Sequence, residues 1–142
     1  MTTNQSASTD DRKRILEAAR VIAVVGLSAN AWRPSYGVAE YLQAAGYEVI
    51  PVNPTYVDRE ILGLRVYASL AEVPTPIDIV DVFRRAEFTP EVARQAVAVG
   101  AKTLWLQLGI VNQEAARIAR AGGLAVVMDR CIAVEHGRLI SA

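Results

Sequence analysis

The run Val21-Ile22-Ala23-Val24-Val25, closed by Gly26, constrains this chain more than any other stretch. Five apolar residues without a charge, three of them valine, have the pattern of a strand buried on both faces. Such a strand belongs in a parallel sheet with helices on either side. A polar loop from Leu27 to Ser35 follows, and an amphipathic segment from Tyr36 to Ala45 follows the loop. The order is therefore strand, polar turn, helix. At the start of that helix, unpaired backbone N–H groups and the positive end of the helix dipole favour an anion. Gly26 lets a ligand approach the backbone, Ser28 and Ser35 offer hydroxyls, and Arg33 adds a fixed positive charge. These residues together suit a phosphorylated, nucleotide-like ligand.

The loop is not a dinucleotide fingerprint. It has Gly26 and Gly37 without a middle glycine at the required spacing, and Arg33-Pro34-Ser35 stands where small residues are expected. The acidic ribose ligand expected about 20 residues further on is also missing. The second strand, Tyr47 to Val52, runs instead into Asn53-Pro54. That substitution disfavours NAD but leaves the strand–helix–strand frame intact.

Strands and helical segments alternate along the rest of the chain. Thr9 or Asp10 can cap a helix reaching about Arg20, and residues 1–10 read as a flexible tail before one domain of residues 11–142. Arg65 to Ala68 reads as a short edge strand, and Ser69 to Glu72 as one helical turn. The next strand is Ile77 to Phe83. Thr89-Pro90 opens a helix ending at Gly100, with proline at its first position. A strand from Thr103 to Leu108 precedes a helix capped by Asn112. Leu124 to Met128 is the last strand, and a short helix spans Asp129 to Glu135.

This alternation predicts an α/β fold: a single Rossmann-type, doubly wound, mostly parallel sheet with helices on both faces. Right-handed crossovers give the order 3-2-1-4-5-6, counting Arg65 to Ala68 as the third strand. The first and fourth strands are then neighbours at the switch point. Gly26-Leu27-Ser28 and Phe83-Arg84-Arg85 meet at their C-terminal ends, where ligands of such sheets bind.

Composition bounds the remaining options. The chain has 142 residues, 52% of them hydrophobic, and a formal net charge of +0, which gives no support for nucleic-acid binding. A lone cysteine fits a reducing compartment, and no run is apolar enough for a signal peptide or a membrane span. The expected location is the cytoplasm.

Several residues invite catalytic readings. Asp78 and Asp81 lie three apart on a strand, so they point to opposite faces and form no local acid–base pair. Cys131 and His136 are five apart, which a helix cannot place squarely on one face. No ligand set for a metal stands at the required spacing. Trp105 sits in an apolar strand and is expected in the core.

Six segments, in this order, resemble a known family. They are Val25-Gly26-Leu27-Ser28, Arg33-Pro34-Ser35, Pro51-Val52-Asn53-Pro54, Asp78-Ile79-Val80-Asp81-Val82-Phe83-Arg84, Trp105-Leu106-Gln107-Leu108-Gly109-Ile110 and Asp129-Arg130-Cys131. The family is that of the stand-alone CoA-binding domain proteins, similar to the N-terminal domain of the succinyl-CoA synthetase alpha subunit. The resemblance implies a Rossmann-type domain holding coenzyme A at the strand ends. It places the pyrophosphate at Gly26, Leu27 and Ser28 and at Arg33, Pro34 and Ser35. Pro51, Val52, Asn53 and Pro54 would flank the adenosine and its 3′-phosphate. Phe83 and Arg84 would line the nucleotide side, and Gln107, Leu108, Gly109 and Ile110 the pantetheine arm.

The expectation is a protein that binds coenzyme A or an acyl-CoA as a small-molecule ligand, with no catalysis of its own. It has no membrane or nucleic-acid partner, and its exposed edge strands permit a homodimer. A mixed disulfide between Cys131 and the thiol of coenzyme A is a subsidiary hypothesis. The alternatives are an NAD(P)-binding redox enzyme or sensor, and a protein-interaction module with a vestigial nucleotide crevice.

Overall fold

The computed structural model describes residues 6–140. Among the described residues, β1 (Val21–Val25), β2 (Glu48–Val52), β5 (Ile79–Val82), β6 (Thr103–Leu106) and β7 (Ala125–Val127) form a central sheet. Their order in it is β2-β1-β5-β6-β7. Every pairing in it is parallel. β1 pairs with β2 on one side and with β5 on the other, so the switch point lies between the ends of β1 and β5 as the sequence implies.

Five helices cover the two faces: α1 (Thr9–Ala18), α2 (Pro34–Ala44), α3 (Thr89–Ala98), α4 (Gln113–Ala121) and α5 (Ile132–Leu139). Alternation along the strands divides the core. Ala23, Val25, Val80, Val82, Leu104 and Leu106 belong to one apolar cluster with Val92, Ala93 and Ala96 of α3 and the buried alanines of α4. Ile22, Val24, Ile79, Trp105 and Val127 belong to the other, with Leu16 of α1, Ala39 and Leu42 of α2, and Ile132 of α5. The strands are buried on both faces, which is why they read as nearly unbroken apolar runs. Trp105 is fully buried, and its indole N–H donates to the Arg130 carbonyl at 2.8 Å.

The expected edge strand at Arg65 to Ala68 is corrected. Leu64–Arg65 (β4) pairs antiparallel with Glu60–Ile61 (β3) in a separate two-stranded ribbon. Leu62 and Gly63, both at positive φ (55° and 74°), make the tight turn between them. This local hairpin takes the segment that would otherwise extend the sheet. Only Tyr67 keeps the third-strand position, as a parallel bridge to Val52. Its N–H donates to the Pro51 carbonyl at 3.0 Å, and its carbonyl accepts from Asn53 at 2.9 Å.

The two ends of the chain also differ from expectation. The cap of α1 is Ser8, not Thr9 or Asp10. Its hydroxyl accepts from the Asp11 N–H at 3.1 Å, and the Asp11 carboxylate accepts from the Ser8 N–H at 3.4 Å. Within the expected tail of residues 1–10, Ala7 donates to the Val126 carbonyl at 2.8 Å, and the Ser6 hydroxyl accepts from Met128 at 3.2 Å. Residues 1–5 lie outside the described residues. The final helix begins at Ile132 rather than Asp129, because Asp129 adopts a left-handed conformation (φ 61°) that ends the preceding turn.

Candidate functional site

The C-terminal ends of β1, β2 and β5 open onto two adjoining clefts. One, of about 440 Å³, is bounded by the start of α2 and includes Ser28, Arg33, Ser35, Tyr56 and Arg85 in its lining. The other, of about 510 Å³, is bounded by the first turns of α3 and includes Val52, Arg84, Phe88, Glu91 and Gln95. Gly26, Asn53, Thr55 and Phe83 line both, so one extended ligand can run from the first cleft into the second.

The β1–α2 loop is held by its own polar groups. Ser28 N–H donates to the Ser35 hydroxyl at 3.0 Å, and the Ser28 hydroxyl accepts from Asn30 N–H at 3.0 Å. The Asn30 side chain accepts from Trp32 N–H at 2.9 Å. Pro34 takes the first helical position, where its missing N–H costs nothing. The Arg33 cap contributes no side-chain hydrogen bond to the helix, so its guanidinium stays available to the cleft. Asn53 ties the second loop to the first. Its amide donates to the Leu27 carbonyl at 3.1 Å, and its oxygen accepts from Thr55 N–H at 3.0 Å.

Gly26 is required by the fold itself. It has φ +89°, and a Cβ there would lie 2.7 Å from the Phe83 carbonyl oxygen. The glycine thus lets β1 and β5 close on each other at the switch point, whether or not a ligand is bound. Leu27 is fully buried in the core, so it presents its backbone rather than its side chain to the loop.

Charge differs between the clefts. Two arginines, Arg33 and Arg85, line the first, and no carboxylate does. Among the described residues, neither guanidinium has an ion-pair partner. The second cleft contains Glu91, which accepts from Arg94 at 3.0 Å and from Gln95 at 3.3 Å. Arg84 in that cleft lies over the Phe88 ring, 4.8 Å from its centroid. With two unpaired guanidinium groups and no carboxylate in its lining, the first cleft is where an anionic group gains most.

The structure brings together Gly26, Ser28, Arg33, Pro34, Ser35, Val52, Asn53, Pro54, Phe83 and Arg84 around this pair of clefts. It does not bring Gln107, Leu108, Gly109 and Ile110 into their lining. Gln107 is buried, and its oxygen accepts from Ile132 N–H at 3.0 Å, anchoring the start of α5. Gly109 N–H donates to the Asp129 carboxylate at 2.7 Å. Leu108 is exposed beside them.

Sequence reasoning left several lining residues out of the site. Arg85 was in view, since it adjoins Phe83-Arg84 at a strand end. Thr55 and Tyr56 follow directly on Asn53-Pro54. Ser69, Glu91 and Gln95 carry no local signal, because tertiary packing alone brings them to the second cleft.

Two of the residues that invited catalytic readings, Asp78 and His136, have structural partners. Asp78 accepts from the Arg20 and Val21 N–H groups, both at 2.9 Å, and these bonds help hold its carboxyl below the usual range. His136 contacts the Tyr41 hydroxyl through Nδ1 at 2.9 Å, and burial lowers its pKa. Cys131 is half-buried at the cap of α5 and lines neither cleft. Among the described residues no group of three His, Cys, Asp or Glu side chains could hold a metal ion. No described helix is long and apolar enough to cross a membrane.

The chain is similar to several known proteins. Residues 20–137 match the family described as CoA binding domain. An uncharacterised protein of Bacillus subtilis (strain 168), YneT, is 47% identical over 132 residues, covering 93% of this chain and 96% of that protein. The alpha subunit of an ADP-forming acetate–CoA ligase of Pyrococcus furiosus is 32% identical over 87 residues, which span 58% of this chain but 19% of the ligase subunit. A solved structure of a hypothetical protein from Pyrococcus horikoshii OT3 superimposes with a TM-score of 0.91 at 37% identity, covering 99% of this chain and all of that one.

Proposed function

Because the chain belongs to the CoA binding domain family, we propose that it binds coenzyme A or an acyl-CoA across the two clefts at the strand ends. The observation that carries this reading is the pairing of a carboxylate-free cleft, lined by Arg33 and Arg85, with a larger and more apolar one. The diphosphate lies at the β1–α2 loop, where helix N–H groups, hydroxyls and Arg33 converge. The nucleoside occupies the second cleft beside Val52, Asn53, Pro54 and Phe83. The pantetheine arm leaves the clefts and passes the Gln107–Ile110 turn, which supplies a firm surface because Asp129 and Ile132 hold it. The chain spans less than a fifth of the ligase subunit it resembles, so ligase activity is no part of this reading.

Titration calorimetry with coenzyme A, acetyl-CoA and NAD tests the reading, beside an Arg33→Ala variant. Coenzyme A binds more tightly than NAD, and loss of Arg33 weakens it about tenfold, the worth of one charge-assisted contact. Tighter binding of NAD would favour a redox enzyme or sensor. No heat from any of the three would favour an interaction module with a vestigial crevice.

A further inference from the structure

Arg84 and Arg85 are consecutive, yet they serve different clefts. β5 ends at Val82, the backbone bends at Arg84, and Arg85 follows at φ −54° and ψ 146°. Across that bend Arg84 lines the cleft against α3, and Arg85 the cleft against α2. The Arg84 guanidinium lies over the Phe88 ring at 4.8 Å, in a cleft that also contains the Glu91 carboxylate. Arg85 is exposed, has no carboxylate partner among the described residues, and shares its cleft with Arg33.

We propose that Arg85, not Arg84, is the second phosphate-reading arginine. Together with Arg33 it clamps the diphosphate of the ligand from the side opposite the β1–α2 loop, while Arg84 is a stacking element that walls the nucleoside cleft with Phe88. The assignment rests on the coenzyme A reading above. Its physical basis is the company each guanidinium keeps. A diphosphate gains from two unpaired guanidinium groups in one carboxylate-free cleft, whereas the Arg84 guanidinium is engaged by the Phe88 ring. Arg33 comes from the loop after β1 and Arg85 from the loop after β5. The pair therefore spans the switch point, and each approaches the anion from its own side. A planar guanidinium on an aromatic ring instead presents a flat, desolvated surface to a base.

The test is calorimetric titration of the full chain and its Arg85→Gln and Arg84→Met variants with coenzyme A and with dephospho-CoA, at two salt concentrations. Arg85 is exposed, so its replacement leaves the core untouched, and a thermal melt of each variant checks this. Arg84→Met keeps an apolar contact with Phe88 while removing the charge. Arg85→Gln weakens both ligands by the same factor, about tenfold or more, and makes binding less sensitive to salt. Arg84→Met loses a stacking surface and weakens both ligands, but keeps the parent's sensitivity to salt, because no charge-assisted bond to phosphate is lost. The assignment is overturned if Arg85→Gln binds like the parent, or if Arg84→Met reduces the salt dependence as much as Arg85→Gln does. A penalty that disappears with dephospho-CoA would move Arg85 to the 3′-phosphate and also contradict the proposal. A parent protein that binds neither ligand would remove the coenzyme A reading itself. A parent that binds, with an indifferent Arg85→Gln variant, removes only the role given to Arg85.

Discussion

Asp81 sits in the middle of the sheet, opposite Val24 of β1 and Trp105 of β6. Its side chain is fully buried, and neither carboxyl oxygen has a hydrogen-bond partner among the described residues. Burial pushes its pKa well above the ordinary carboxylate value, so the folded protein holds this proton to higher pH than the unfolded chain does. The consequence for stability has a definite sign. Below the unfolded-state pKa of about 3.9, both states hold the proton and Asp81 adds no pH dependence. As pH rises, the unfolded chain ionises first, and stability falls with a slope approaching about 1.4 kcal/mol per pH unit until the folded-state pKa is reached. Asp81→Asn should match the parent near pH 4 and exceed its stability at pH 7 in urea denaturation series. Parallel pH curves for the two proteins would contradict this. At this scale the sequence was partly legible. Alternation separated Asp78 from Asp81, and the structure agrees that they form no pair. The pattern held no sign that Asp78 would gain two backbone donors while Asp81 gained none, because those partners depend on how distant segments pack. Gly26 shows the same boundary: its place at a strand end was plain, but the Phe83 carbonyl that forbids a side chain belongs to another strand.

The secondary elements owe their positions to ties that cross the chain. Arg12 of α1 and Glu135 of α5 form a buried ion pair at 2.8 Å, with side-chain exposures of 8% and 5%. The Arg12 guanidinium also donates to the Ala7 carbonyl at 2.8 Å and the Thr9 hydroxyl at 3.1 Å. Glu135 has further contacts with Arg138 at 3.5 Å and Arg130 at 3.7 Å. This cluster fastens the first helix to the last. Removing one partner strands a buried charge, which costs about 3–5 kcal/mol. Arg12→Ala should therefore lower unfolding stability by about 3 kcal/mol, the low end, because Arg130 and Arg138 stay beside the carboxylate. Replacing both partners, as in Arg12→Met with Glu135→Leu, should recover most of the loss. Denaturation of the three proteins checks both statements, and a loss under about 0.5 kcal/mol for Arg12→Ala, typical of an exposed pair, would contradict them. The helices themselves were legible from periodicity, proline and capping residues. This cross-link was not, since Arg12 and Glu135 lie at opposite ends of the chain. The β3–β4 ribbon escaped for a related reason. Its turn places Leu62 at positive φ, a conformation that the residue type does not announce.

For the whole molecule, sheet order decides function. Because β1 lies between β2 and β5, the loops after all three strands converge on one crevice. Arg33 and Arg85 line its first cleft with no carboxylate beside them, and the larger second cleft is more apolar. The order followed from strand–helix alternation and right-handed crossovers, so the place of the crevice could be read from the sequence. Its division into two clefts of different charge could not, because that depends on which side of the backbone Arg84 and Arg85 leave. The most direct test of the central claim is a crystal structure of the protein grown with excess coenzyme A. The account predicts density for the diphosphate at the β1–α2 loop beside Arg33, with the nucleoside beside Asn53 and Phe83. Coenzyme A bound elsewhere on the surface, or clefts free of density at a saturating concentration, would contradict it.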